Sequence, residues 1–342
     1  MSLPLNAPAA PILVDPLFDV GRDPMIELAE RFGRYRTYGQ HERIELDIGR
    51  GLQPRHDSIM NFIRTGGLRR ADEDAATLAA RTSYFREEYG YADRIYAPGI
   101  ETFLGSERLA DAARRIHGRP VIEPGIAYAN LMVPGQELAV HTDVPEFRGA
   151  NRKVFPQWLL VAMLHSGLFD DWRLHIATGI AWFHDSEHGA LAYWPDGPDG
   201  PVKHHRIRAN TALVLDTDSV FHGVDRVTDD APTVVPPVRS TTVLEPRNER
   251  WALVADDGEG DVVATYDFEE LRFSVSWKAY CFADDADRER WRTGSDGLDL
   301  DTVLGALVTD LDERGVANEG RHDPALGGLL IDTYIRFPVV AA

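Results

Sequence analysis

The spacing of apolar positions divides the chain into a helical first third and a β-rich remainder. "DPMIELAERFGRYR" (23–36) carries Met25, Leu28, Ala29 and Phe32 at the i, i+3, i+4, i+7 spacing of one helix face, with Pro24 at a first-turn position. "RRADEDAATLAARTSYFREEYG" (69–90) is rich in helix formers and ends at Gly90, and "SERLADAARRIHG" (106–118) runs from a cap-type Ser106 to Gly118, so both spans are predicted helical. From about residue 119, short runs rich in Val, Ile, Leu and Trp are separated by Pro, Gly and Asp clusters. "PVIEPGIAYANLMVPGQELAVH", "HIATGIAWFHD", "NTALVLDTDSVFHGVDRV" and "LRFSVSWKAYCF" all read as strands. Such closely spaced strands predict an antiparallel sandwich or barrel rather than βαβ units. The proline-rich "DDAPTVVPPVRSTTVLEPRNER" (229–250) interrupts them and predicts a long loop or insertion near the mouth of the sheet. Farther on, Leu300, Val303, Leu304, Leu307, Val308 and Leu311 make one apolar stripe before Gly315, which predicts a helix packed outside the β core.

The pattern therefore predicts a mainly β protein with flanking helices. Residues 1–118 form a helical region supporting the core, 119–283 the β core with an insertion at about 229–265, and 284–342 a C-terminal helix and tail packed on it. A hydrophobic content of 44% fits a globular chain with a substantial core. The 55 Asp and Glu against 36 Lys and Arg give a formal net charge of −19, which disfavours nucleic acid and anionic membrane surfaces as partners. A single cysteine, Cys281, excludes an intrachain disulfide framework and a multi-thiolate metal site, and its aromatic neighbours suggest a buried, inert thiol. With no basic leader pattern and no long apolar run, a cytoplasmic protein is expected. The sequence is silent on oligomeric state.

Candidate chemistry concentrates in "AVHTDVPEF" (139–147). On a strand, His141 and Asp143 would share a face, and two imidazoles with one carboxylate are a common iron(II) donor set that leaves positions open. His222, at the end of the apolar run in "LVLDTDSVFHGVDRV", is the candidate third donor. His184 and His188 in "WFHDSEHG" have the four-residue spacing that suits zinc on a helix, but the flanking β pattern favours a polar loop at the rim of a pocket.

Residues 126–282 resemble the iron(II)- and 2-oxoglutarate-dependent oxygenases, particularly the prolyl-hydroxylase-like branch. The resemblance rests on "NLMVPGQELAVHTDVPEFRG", "HGALAYWP" and "NTALVLDTDSVFHGVDRV", three segments in the family's order. It implies a double-stranded β-helix, or jelly roll, with His141, Asp143 and His222 as iron ligands, and 2-oxoglutarate and O2 as co-substrates. It also implies an arginine that holds the distal carboxylate of 2-oxoglutarate, for which the planar guanidinium fork is suited. Arg272 in "LRFSVSWKAYCF" fits, with Ser274 and Ser276 on the same strand face, although it lies farther from His222 than in relatives. Arg239 and Arg226 are the rivals. Tyr128 and Asn130 are similar in position to pocket residues that contact the co-substrate.

The reaction so implied is hydroxylation, desaturation or cyclisation with release of succinate and CO2. An aspartate at 143 leaves no iron position for a halide, which by family analogy disfavours halogenation. The expected prime substrate is a small metabolite or amino-acid-like molecule, met by the N-terminal helices, the 182–188 loop and the proline-rich insertion, with Arg148, Arg152 and Lys153 as candidates for a substrate carboxylate. A protein side-chain hydroxylase and a cupin-like metal-binding protein are the alternatives, although threonine at 142 is wrong for the cupin motif.

Overall fold

In the computed structural model, which describes residues 9–19, 23–39, 44–53, 55–64, 74–228, 235–255, 260–335 and 338, fifteen strands form two sheets. They are β1 (Ile12–Val14), β2 (Tyr35–Thr37), β3 (Phe85–Tyr91), β4 (Arg94–Ile95), β5 (Val121–Met132), β6 (Leu138–His141), β7 (His175–Trp182), β8 (Ser186–Tyr193), β9 (Lys203–Ile207), β10 (Thr211–Leu215), β11 (His222–Val224), β12 (Val243–Arg247), β13 (Arg250–Val254), β14 (Val262–Tyr266) and β15 (Arg272–Phe282). The large sheet runs β1-β10-β7-β15-β5-β3-β2-β12-β13-β14, with β4 on β3, and the small sheet runs β6-β11-β8-β9. From β5 onward the chain crosses repeatedly between sheets, so that β5-β15-β7-β10 is matched by β6-β11-β8-β9. That order is a double-stranded β-helix, as the sequence pattern and the resemblance led us to expect.

The period-2 alternation of the strands gives the large sheet two unlike faces. Ala127, Ala129 and Leu131 of β5 and Phe273, Val275 and Trp277 of β15 are fully buried in one apolar cluster. Leu28 from α1 (Asp23–Phe32) and Leu109, Ala112 and Ala113 from α5 (Glu107–His117) complete that cluster. The alternate residues, Tyr128, Asn130, Met132, Arg272, Ser274, Ser276 and Lys278, line a cavity toward the small sheet. The helical support is thus apolar, and the polar half of each strand is reserved for the interior of the roll.

Two expectations need correction, and two features of the helices add to them. Residues 69–73 lie outside the described residues, and of the predicted helix to Gly90 only α3 (Ala75–Thr82) forms, after α2 (His56–Arg64). Asp74 caps α3 by accepting from the Thr77 amide at 2.7 Å. The following "YFREEYG" is strand β3, because Phe85 and Tyr89 bury on the helix side while Tyr84, Arg86 and Glu88 face the cavity. Its charged residues mimic a helix composition, but their alternation with aromatics is that of a strand.

The insertion is the second correction. Residues 229–234 and 256–259 lie outside the described residues, and Val243–Tyr266 forms the meander β12-β13-β14, which joins the large sheet through β2. None of its described residues lines the cavity. Third, between α4 (Glu101–Leu104) and α7 (Asp285–Thr293) the chain has a helix the periodicity did not reveal, α6 (Gln157–Ser166), because Trp158–Ser166 is buried all round and has no polar stripe. Fourth, α8 (Leu300–Glu313) buries Val303, Leu304, Leu307 and Leu311 as its spacing predicts, yet it packs with α6 and α9 (Leu326–Tyr334) in a helical cluster containing no residue of either sheet. Among the described residues no helix is long and apolar enough to cross a membrane.

Candidate metal centre

Strand pairing brings the candidate ligands together. β6 and β11 are antiparallel neighbours with His141 directly opposite His222, their rings 4.5 Å apart. Gly223 permits that approach, since a Cβ there would stand 2.7 Å from the Leu138 carbonyl oxygen. Asp143 lies just beyond β6, held by its amide donating to the Thr217 carbonyl at 2.8 Å. One carboxylate oxygen, Oδ1, is 3.8 Å from His141 Nε2 and 3.9 Å from His222 Nε2. Among the described residues these three form the cluster whose donor atoms, all within 4.8 Å of one another, could hold a metal ion.

Each ring is oriented by its own strand. His141 Nδ1 lies 2.7 Å from the Ala139 carbonyl and His222 Nδ1 lies 2.9 Å from that of Val220. A carbonyl only accepts, so Nδ1 carries the proton and Nε2 presents a lone pair toward Asp143, an outer-shell arrangement suited to metal ligation. Burial drives both imidazoles toward the neutral form, His141 down to about 3 and His222 below its ordinary value. Burial alone would raise the Asp143 carboxyl, but Lys278, His222 and His141 hold it well below the usual carboxylate range. Lys278 Nζ donates to Asp143 Oδ2 at 2.7 Å, which leaves Oδ1 facing the histidines. Lys278 escaped the sequence reading, although it is the next cavity-facing position of β15 after Arg272, Ser274 and Ser276.

The cavity, of about 210 Å³, contains His141, Asp143, His222, Arg272, Ser274, Tyr128 and Asn130 in its wall. Arg272 is buried at 3% exposure; its Nε donates to the Gly189 carbonyl at 2.8 Å and a terminal nitrogen to Ser274 Oγ at 3.1 Å. Gly189, in the "HGALAYWP" segment, has φ +69° and packs so closely that a Cβ would meet Arg272 Cδ at 2.8 Å. Burial pushes Arg272 down to about 10, with Asp225 opposing that shift. Of its rivals, Arg239 is exposed and neither Arg239 nor Arg226 lines the cavity.

Other candidates fall away from the site. His184 is buried, its Nε2 donating to the Leu271 carbonyl at 2.9 Å, and no residue of the 182–188 loop lines the cavity. Arg148 is tied to Asp296 and the Asp171 carbonyl, and of the three basic residues after the motif only Arg152 reaches the cavity wall. Cys281 is buried, its thiol pushed up to about 12 by desolvation, as expected of an inert thiol.

No protein-family model and no curated protein sequence matches the chain. Among solved structures, it is similar to an oxidoreductase of the 2OG-Fe(II) oxygenase family from Burkholderia pseudomallei, at 9% identity and TM-score 0.39, over 79% of this chain and 84% of that one. A prolyl hydroxylase from Trichoplax adhaerens, in complex with a hypoxia inducible factor peptide, aligns at 8% identity and TM-score 0.40 over 83% and 87%. HygX from Streptomyces hygroscopicus, with nickel, 2-oxoglutarate and hygromycin B bound, aligns at 10% identity and TM-score 0.37 over 80% and 83%. At this level of likeness no residue role passes from those proteins to this one.

Proposed function

We propose that this chain is an iron(II)- and 2-oxoglutarate-dependent oxygenase acting on a small molecule, with His141, Asp143 and His222 as the iron ligands. One observation carries the reading: two imidazoles, each with Nδ1 at hydrogen-bond distance from a carbonyl of its own strand, turn Nε2 toward a shared carboxylate oxygen at 3.8 and 3.9 Å. Two imidazoles and one carboxylate on one side of an ion suit non-haem iron(II). Arg272 supports the co-substrate assignment. A buried guanidinium whose described hydrogen bonds go only to a carbonyl and a hydroxyl has no carboxylate bound to it, and a dicarboxylate would supply one.

Iron(II), when bound with 2-oxoglutarate and O2, supplies the oxidising chemistry, with succinate and CO2 as co-products. The chain's residues provide position and charge. Lys278 favours the ionised form of Asp143 and occupies Oδ2, so that Oδ1 would be the atom to hold a metal, while Ser274 and the Gly189 carbonyl fix the Arg272 fork that would take the distal carboxylate. Tyr128 and Asn130, opposite Ser276 and Ser274 across the β5–β15 ladder, complete the polar wall. The cavity of about 210 Å³ between the sheets favours a small metabolite as prime substrate; hydroxylation, desaturation and cyclisation are all compatible with this donor set.

The test is succinate formation from 2-oxoglutarate with iron(II) and air, screened against a metabolite library. Iron-dependent succinate that rises with a library member is expected, and Arg272→Ala should raise the 2-oxoglutarate requirement sharply where Arg239→Ala does not. Iron-independent turnover, or a requirement that moves with Arg239 instead, would sink the assignment.

A further inference from the structure

The cavity inverts the charge of the molecule that contains it. In a chain of net charge −19 its wall holds Arg55, Arg86, Arg152, Arg272 and Lys278 against Glu88, Asp143 and Glu146. Most of these cations already have a task. Lys278 is bound to Asp143, Arg55 donates to the Thr142 carbonyl at 2.7 Å and to Ser58 at 3.0 Å, Arg152 is exposed, and Arg272 is the proposed co-substrate anchor.

Arg86 remains, and its surroundings are specific. It stands on β3 opposite Asn130 of β5, and its Nε donates to Asn130 Oδ1 at 2.8 Å. Its guanidinium lies over the rings of Tyr128 at 4.0 Å, Tyr38 at 4.3 Å and Tyr84 at 5.2 Å, and the Tyr38 and Tyr84 rings are themselves stacked. Hydrogen bonds of a guanidinium lie in its plane, and aromatic rings occupy the space over that plane. With the Nε position taken by Asn130, the terminal amino groups are left, and among the described residues no acceptor takes them. A pre-oriented fork of this kind, held by stacking and facing a cavity, matches a carboxylate with two parallel hydrogen bonds.

Position separates this fork from Arg272. β5 lies between β3 and β15, and Arg86 is level with Ser274 rather than Arg272, so the backbones of the two arginines stand two strand spacings apart, roughly 10 Å, and are offset by two residues along the strand. One dicarboxylate bound at Arg272 and the metal would leave the terminal amino groups of Arg86 without an acceptor among the described residues. We infer that Arg86, clamped by Tyr38, Tyr84 and Tyr128, is the receptor for a carboxylate of the prime substrate, which makes that substrate a small organic acid. This rests on the proposed function for the word substrate, but the binding site itself does not need iron chemistry to be observed.

The experiment is a thermal-shift and calorimetric comparison of small monocarboxylates, each paired with its methyl ester, on metal-free protein and on protein loaded with Mn(II) and 2-oxoglutarate. Acid-selective binding is expected, with Arg86→Gln weakening the acids at least about tenfold and 2-oxoglutarate less than about twofold. Arg86→Lys keeps the charge but loses the fork and should fall between the two. Because 2-oxoglutarate binding in each variant reports an intact cavity, a misfolded variant is recognised by losing both. Esters that bind as well as acids, no acid-selective shift, or acid binding that survives Arg86→Gln would each overturn the proposal. If Arg86→Gln instead abolishes 2-oxoglutarate binding while Arg272→Gln spares it, Arg86 is the co-substrate anchor and the inference fails. Should wild-type protein not bind 2-oxoglutarate with metal at all, the oxygenase reading fails separately, and the acid-against-ester comparison on metal-free protein still decides the role of Arg86.

Discussion

On β15, Phe273, Val275, Trp277 and Ala279 turn to the helices while Arg272, Ser274, Ser276 and Lys278 turn to the cavity, and all of them except the half-buried Lys278 are buried to a similar degree: Val275 at 0% and Ser274 at 1%. The helix side gains from that burial, at roughly 25 cal/mol per Å² of apolar surface. The cavity side pays for it, because hydroxyls and cations lose water and recover only part of their hydrogen bonding. One strand thus holds the fold together on one face and spends stability on the other, so substitutions on the two faces should separate structure from activity.

The largest expected effect is on the cavity side. His222→Ala removes a proposed ligand and should cut activity by well over the 10–100-fold expected for an outer partner of a metal site, with little change in the melting temperature of the metal-free protein. An activity loss that merely tracks a loss of fold would break the contrast. Next comes the helix side: Trp277→Ala should cost about 3–5 kcal/mol in denaturant unfolding, whereas Ser276→Ala, one position away on the other face, should stay within about 1 kcal/mol. Similar costs for both would remove the distinction between the faces.

Gly189→Ala should be milder, roughly 1–2 kcal/mol for the left-handed backbone, but should also weaken 2-oxoglutarate binding because the added methyl meets Arg272 Cδ. Stability lost without any change in co-substrate affinity would detach Arg272 from that role. The smallest effect concerns Asp218, in the loop leading to His222, where among the described residues neither carboxylate oxygen has a hydrogen-bond partner. Burial raises its pKa well above the ordinary carboxylate value, against an opposing pull from Lys278. Because the folded chain then holds a proton that the unfolded chain releases, stability falls as pH rises from the ordinary carboxylate range toward the raised value. Asp218→Asn should flatten that slope and melt higher than wild type at neutral pH, with the difference fading below pH about 4. An unchanged slope would show that Asp218 is not the group responsible.

The sequence foreshadowed the cavity's proposed ligands better than the rest of its wall. That His141, Asp143, His222 and Arg272 could share one pocket was legible because an i, i+2 pair, a His-Gly strand end and an alternating strand are short-range patterns, and all four line the cavity. Arg86 was hidden, since "YFREEYG" follows a helix and has the composition of one, and only pairing with β2 and β5 makes it a strand. α6 was illegible for the opposite reason: a helix buried on every side carries no periodic signal. The insertion looked like a loop because its prolines and polar residues say nothing of the partner, β2, that lies far earlier in the chain.

The central claim is that the neutral histidine pair and Asp143 bind iron(II) together with 2-oxoglutarate held at Arg272. Anaerobic titration of the protein with iron(II) in the presence of 2-oxoglutarate tests it directly. A weak visible charge-transfer band that saturates at one iron per chain, and is absent in His141→Ala, is the predicted result; no band in the wild type, or the same band in His141→Ala, would contradict it.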